Sequence, residues 1–160
     1  MHLPQLLTAL SVAILITFAG CSPPHSRSTP QAQDSPVQGP VKAVLLPLTD
    51  FYKNDSASGI KAYVTLIDSE NQEKQFPAVF RFELYEKVFH SGEPMGRRIK
   101  IWPDFELQSI DTNDIFWQKF LNAYEFDLQL DNGETEHFIL QVTCIFDNQR
   151  RLTDTIELQK

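Results

Sequence analysis

The sequence predicts a mainly β domain built as a two-sheet β-sandwich with one short helix near 112–121. Three observations carry that expectation. Short segments with apolar residues at every second position recur from Val41 to the end of the chain, the period of a strand with one face buried. Turn-forming clusters punctuate them, among them Asp131-Asn132-Gly133, whose Asn-Gly pair tolerates the positive φ angles of a tight hairpin. A single stretch, after Asp111, changes to helical spacing.

The elements follow in order. Val41 to Leu48 is an apolar run interrupted by Pro47; proline forfeits a ladder hydrogen bond, which assigns this strand to a sheet edge. Asp50 to Gly59 reads as a loop. Ile60 to Asp68 alternates Ile60, Ala62, Val64 and Leu66 against Lys61, Tyr63 and Thr65, a half-buried strand. Ala78 to Phe89, with Phe80, Phe82 and Leu84 on one face, is a central strand. His90 to Arg98 holds Gly92, Pro94 and Gly96 and reads as a loop. Ile99 to Leu107 alternates again, but Pro103 must divide it into two pieces.

Asp111-Thr112-Asn113-Asp114 supplies side-chain oxygens and negative charge for a helix start. Phe116, Trp117, Phe120, Leu121 and Tyr124 then repeat at helical spacing and predict two to three turns with an aromatic inner face. From Tyr124 to Leu130, Phe138 to Phe146 and Leu152 to Leu158 the period returns to two, a three-stranded meander. Some seven strands in this order suit a sandwich of immunoglobulin or transthyretin type. The Cys-Trp-Cys framework of antibody domains is missing, and no internal repeat is visible.

Upstream of the domain the composition differs. Leu6 to Phe18 is a thirteen-residue apolar run, short of the ~20 residues of a transmembrane helix and within the range of a signal-peptide core. It closes on Phe18-Ala19-Gly20-Cys21. This motif resembles the lipobox of bacterial lipoproteins, in which the leader is removed and the cysteine is acylated. The resemblance implies a signal peptide over 1–20, a lipidated Cys21 and attachment to the cell envelope through acyl chains. Ser22 stands where aspartate retains some family members at the inner membrane, which favours the outer one. Ser22 to Pro40 holds five prolines among Ser, Gln and Thr and reads as an extended tether reaching roughly 60 Å.

The formal charge of −7 belongs wholly to residues 41–160, because Arg27 and Asp34 cancel upstream. So acidic a domain is repelled by nucleic acid and anionic lipid heads. With Cys21 acylated, Cys144 has no disulfide partner; the alternation around it makes it a small buried hydrophobe. His2, His25, His90 and His137 show no metal-ligand spacing, and no phosphate loop or Gly-x-Ser-x-Gly elbow occurs. Neither cofactor nor enzyme activity is expected.

Three surface features remain. Asp127, Asp131, Glu134 and Glu136 surround one hairpin and offer part of a calcium shell, a calcium-assisted carbohydrate module being one reading and a solvated acidic face the other. Trp102 falls on the polar register of its strand and is a candidate sugar platform or partner contact, unless the short helix covers it. Arg97 and Arg98 form the one local basic point and a candidate dock for an acidic partner.

Pro77-Ala78-Val79-Phe80-Arg81-Phe82-Glu83-Leu84-Tyr85 resembles the Pro-x-x-Val-Arg-x-Tyr strand of transthyretin-like lipoproteins in type VI secretion complexes. That resemblance implies a structural role in an envelope assembly. Trp102 to Leu107 and Leu152 to Thr155 resemble segments of sandwich-type lipoproteins of undefined activity. Together these readings point to a membrane-anchored, non-enzymatic binding or scaffold module with a protein or glycan partner.

Overall fold

The computed structural model describes residues 39–54, 57–130 and 135–160. The leader, Cys21, most of the tether, Asp131 and Glu134 lie outside them. The elements are β1 (Lys42–Leu45), β2 (Asp50–Lys53), β3 (Ser58–Ile67), β4 (Ala78–Lys87), β5 (Met95–Ile101), β6 (Phe105–Leu107), α1 (Ile110–Phe116), β7 (Trp117–Gln118), β8 (Ala123–Gln129), β9 (His137–Ile145) and β10 (Arg151–Gln159). They form two antiparallel five-stranded sheets with one short helix, as expected of a two-sheet sandwich. The first has the order β1-β3-β8-β7 with β2 also on β3; the second has β10-β9-β4-β5 with β6 also on β4.

Each sheet has an edge line broken by proline. In the first, β1 pairs with the far half of β3 and β2 with its start. Between them Pro47 sits in a turn closed by Thr49 N–H on Leu46 O at 2.9 Å. Thr49, buried at the kink, repairs the ladder by accepting the Tyr63 N–H on Oγ1 at 3.0 Å. In the second, β5 and β6 both pair with β4 and are separated at Trp102 to Asp104, so the division anticipated at Pro103 is present.

Two loops expected from composition are shorter than anticipated. Asp50–Lys53 is strand β2, because Tyr52 lies opposite Gly59; a Cβ on Gly59 would sit 2.5 Å from Leu128 O and 3.0 Å from the Tyr52 ring, so only glycine lets the ring cover that position. β5 opens at Met95, inside the expected 90–98 loop, and its pairing with β4 carries register shifts at Leu84/Tyr85 and Tyr85/Lys87, irregularities that suit an edge strand.

The helix is the larger correction. It runs Ile110–Phe116, earlier and shorter than 112–121, because Ser109 caps it: Ser109 Oγ accepts the Thr112 N–H at 3.2 Å and Thr112 Oγ1 accepts the Ser109 N–H at 3.1 Å, a reciprocal capping box. Trp117 is already extended and pairs with Tyr124. A turn closed by Leu121 N–H on Gln118 O, with Asn122 at φ 47°, then reverses the chain. Phe120, expected on the inner face, is therefore 82% exposed.

Between the sheets Phe80 and Phe82 of β4 meet Tyr124 and Phe126 of β8, all fully buried. Phe126 is the hub, with ring centroids 4.9 Å from Phe82, 5.0 Å from Phe80 and Phe105, and 5.3 Å from Phe116. The flank formed by β1 and β10 is tied across the sheets by Asp154 of β10, whose Oδ2 accepts the Leu45 N–H at 2.7 Å. A carboxylate at this edge also discourages pairing with another chain.

Candidate functional site

Tyr124 locks the corner beside α1. Its hydroxyl accepts the Phe76 N–H at 2.8 Å and reaches Asn113 Oδ1 at 2.7 Å, while Asn113 Nδ2 donates to the carbonyls of Leu107 and Ser109, each at 2.8 Å. The Tyr124 hydroxyl also lies 3.1 Å from Phe76 O, but its one proton is better spent on the nearer Asn113 acceptor. Burial pushes the Tyr124 phenol far above its ordinary value, so the group is a fixed donor. The network places Phe76 and Pro77 beside the β9–β10 turn.

The sequence-derived candidates sit elsewhere. Trp102 is 6% exposed, and the expectation of an exposed platform or partner contact is corrected. The break at Pro103 takes Trp102 off the regular outward register: its backbone N–H still bonds Phe82 O at 3.2 Å, but its indole Nε1–H crosses to Gln129 O of the facing sheet at 2.8 Å. Lys100 Nζ lies 5.7 Å from the ring centroid.

Arg97 and Arg98 stand on the exposed edge strand β5. Arg98 Nη1 donates to Glu83 Oε1 at 2.6 Å, whereas Arg97 approaches Glu86 only to 3.9 Å and its side chain is 78% exposed. Of the pair, Arg97 is the one available to a partner. The surrounding charges are paired in the same way: Arg81 holds Asp104 through Nε (2.9 Å) and Nη2 (2.7 Å), and Lys87 meets Glu157 at 2.5 Å. The hydrogen bonds from Arg81 hold the Asp104 pKa below the usual carboxylate range, which favours the charged form.

Of the acidic hairpin, Asp127 accepts the Tyr52 hydroxyl on the outer face of β8, beside Lys61. Glu136 receives the Lys160 N–H on its backbone carbonyl at 2.9 Å. Among the described residues no group of three or more His, Cys, Asp or Glu is placed to share a metal ion. His137 opens β9, half-buried and edge-on to Phe89 with centroids 4.9 Å apart. Cys144 is fully buried, as its alternating neighbours implied, and burial, reinforced by Asp154, raises its thiol pKa well above the usual range.

A feature that sequence reading passed over lies at the β9–β10 turn. Gln149 N–H on Phe146 O (2.8 Å) and Phe146 N–H on Arg150 O (3.0 Å) close the turn, with Gln149 at φ 62°. This geometry folds Arg150 back so that its guanidinium lies 5.6 Å from the Phe146 ring centroid. Beside it is a cleft of about 280 Å³ lined by Gly39, Pro40, Phe76, Pro77, Phe146 and Asn148, among others. In the sequence Asp147 to Arg150 is only a polar turn; no local spacing signals that its last residue stacks on Phe146 and lines a cleft with Phe76, which is distant in the chain.

No protein-family model matches the chain, and no curated protein matches it.

Proposed function

We propose that this chain is a bacterial lipoprotein that presents a non-enzymatic β-sandwich binding or scaffold module at the cell envelope, held by acyl chains on Cys21. The observation that carries the reading is Phe18-Ala19-Gly20-Cys21 at the end of a thirteen-residue apolar run, followed directly by a Pro- and Ser-rich stretch. Two or more acyl chains anchor stably, at about 0.8 kcal/mol per buried CH₂, and the acidic domain has no electrostatic reason to sit on anionic lipid. Ser22 favours the outer membrane.

The β-sandwich is compatible with the reading in one respect: among the described residues its regular elements begin at Lys42, twenty-one positions after Cys21 in the sequence. Partner recognition is assigned to the exposed edge at Arg97 and to the cleft at Arg150. Metabolic labelling with a fatty-acid probe tests the anchor. Wild type should take up label and fractionate with membranes, and Cys21→Ala should do neither; label retained by Cys21→Ala would refute the proposal.

A further inference from the structure

Among the described residues, β5 is a seven-residue strand that pairs with β4 alone, so its other side is an open hydrogen-bonding edge. The remaining edges offer less. The flank where β1 and β10 meet is tied by Asp154 on the Leu45 N–H, and β2, β6 and β7 have only four, three and two residues. On β5, Ile101 and Lys100 lie opposite Glu83 and Leu84, and the next residue, Trp102, donates its N–H to Phe82 O. The alternation of an antiparallel ladder therefore turns the N–H and C=O of Ile101 away from β4, toward the open side. Both register shifts of β5 fall before Lys100, so the ladder is regular here.

The same edge is positive on an acidic chain. β5 carries Arg97, Arg98 and Lys100 and no carboxylate, against a net charge of −7 for the whole sequence. Glu83 holds Arg98 at 2.6 Å, whereas Glu86 stays 3.9 Å from Arg97, whose side chain is 78% exposed. Three cations facing two carboxylates leave the edge positive. Ile101, 47% exposed, adds an aliphatic contact on the outer face of the sheet. A second copy is the wrong occupant, because antiparallel pairing of β5 with itself sets like charges against one another. A cationic edge deters such pairing and selects for a strand of opposite charge.

We infer that β5 is a docking edge for an extended acidic peptide segment, which joins the second sheet as a further strand. The N–H and C=O of Ile101 supply ladder bonds, and Arg97 meets a carboxylate of the incoming strand. The inference gives a partner class to the proposed binding module and rests on that reading. Its assay is read at β5 and does not depend on acylation of Cys21, so either can fail alone.

The test uses the full chain in uncharged detergent micelles with acetyl-Glu-Val-Glu-Val-Glu-Val-amide as the probe. The Lys-Val repeat of opposite charge is one control. The Glu-Pro repeat is the other: it keeps the charge, but proline withholds N–H groups and fixes φ. The Glu-Val peptide should bind saturably, slow hydrogen exchange of the Ile101 amide and bind less tightly as salt rises, while neither control binds comparably. Arg97→Glu should weaken the Glu-Val peptide by about three- to tenfold. Its Tm should stay near that of wild type, since Arg97 is exposed and barely paired.

Equal binding of the Glu-Val and Glu-Pro peptides would overturn the inference, because charge alone would then suffice. Binding that leaves exchange of the Ile101 amide unchanged would do the same, as would no binding at all, which would leave the cations as guards of the edge. An Ile101 amide already protected without peptide would also overturn it: the edge would be covered by the chain itself or, if protection grows with protein concentration, by a second copy.

Discussion

Replacing Tyr124 by Phe removes one oxygen from the centre of the α1 corner and leaves the ring in place. The ring contacts to Phe80 (centroids 4.9 Å apart) and Trp117 (5.0 Å) are retained, so the loss is that of the hydroxyl alone. It leaves the Phe76 N–H without its 2.8 Å acceptor and Asn113 Oδ1 without its 2.7 Å donor. Asn113 is 4% exposed, so water does not readily take the place of that donor. At about 1–3 kcal/mol for each buried group left unsatisfied, the expected destabilisation is about 2–4 kcal/mol. For a domain of this size that lowers Tm by roughly 10 °C. Urea unfolding should show a lower midpoint with an unchanged m-value. In the double mutant with Asn113→Ala the effects should be less than additive, because the first substitution already breaks the shared bond. A loss below about 0.5 kcal/mol, the size of an ordinary surface substitution, would refute the claim that this network locks the corner.

Further outcomes follow from single residues. Gln149 adopts φ 62° in the β9–β10 turn, where a side chain costs roughly 1–2 kcal/mol; after the entropy that glycine adds to the unfolded chain, Gln149→Gly should still raise stability by about 0.5 kcal/mol in chemical denaturation. Cys144, fully buried with its thiol pKa raised, should react with a thiol reagent only as fast as the domain opens, and at the free-thiol rate in denaturant. Asp68 has its pKa lowered, first by the Lys74 side chain and then by the N–H of Gln72, and Asp104 by Arg81. Because the folded values lie below the unfolded ones, their contribution is complete above about pH 4–5 and is lost as the pH falls further. Tm should therefore drop on acidification below pH 4, and Asp68→Asn should lower Tm at pH 7 while flattening that acid limb.

The strands were legible where one face is buried and the other wet. Phe138, Leu140, Val142, Cys144 and Phe146 alternate in sequence and line the core in the fold. What sequence spacing could not resolve is the choice between periods over a short aromatic stretch. Phe116, Trp117, Phe120, Leu121 and Tyr124 satisfy helical spacing, yet the pairing of Trp117 with Tyr124 wins, because it buries Tyr124 and satisfies its hydroxyl. Trp102 shows a similar limit: alternation points it outward, and the break at Pro103 lets its indole reach Gln129 instead.

The candidate site was less legible still. Arg97 and Arg98 were visible as a basic pair, but their difference is set by which carboxylate stands opposite in β4: Glu83 holds Arg98, and Glu86 stays 3.9 Å from Arg97. Arg150 carries no sequence signal, since its neighbours Phe76 and Pro77 are brought to it by the Tyr124 hydroxyl bonding Phe76 across the chain.

The central claim, that Cys21 is the acylated first residue of the mature chain, is tested most directly by intact mass spectrometry of the protein purified from membranes. The expected species starts at Cys21 and carries the added mass of a diacylglycerol, with or without a third acyl chain. A mature chain that begins elsewhere, or an unmodified Cys21, would contradict it.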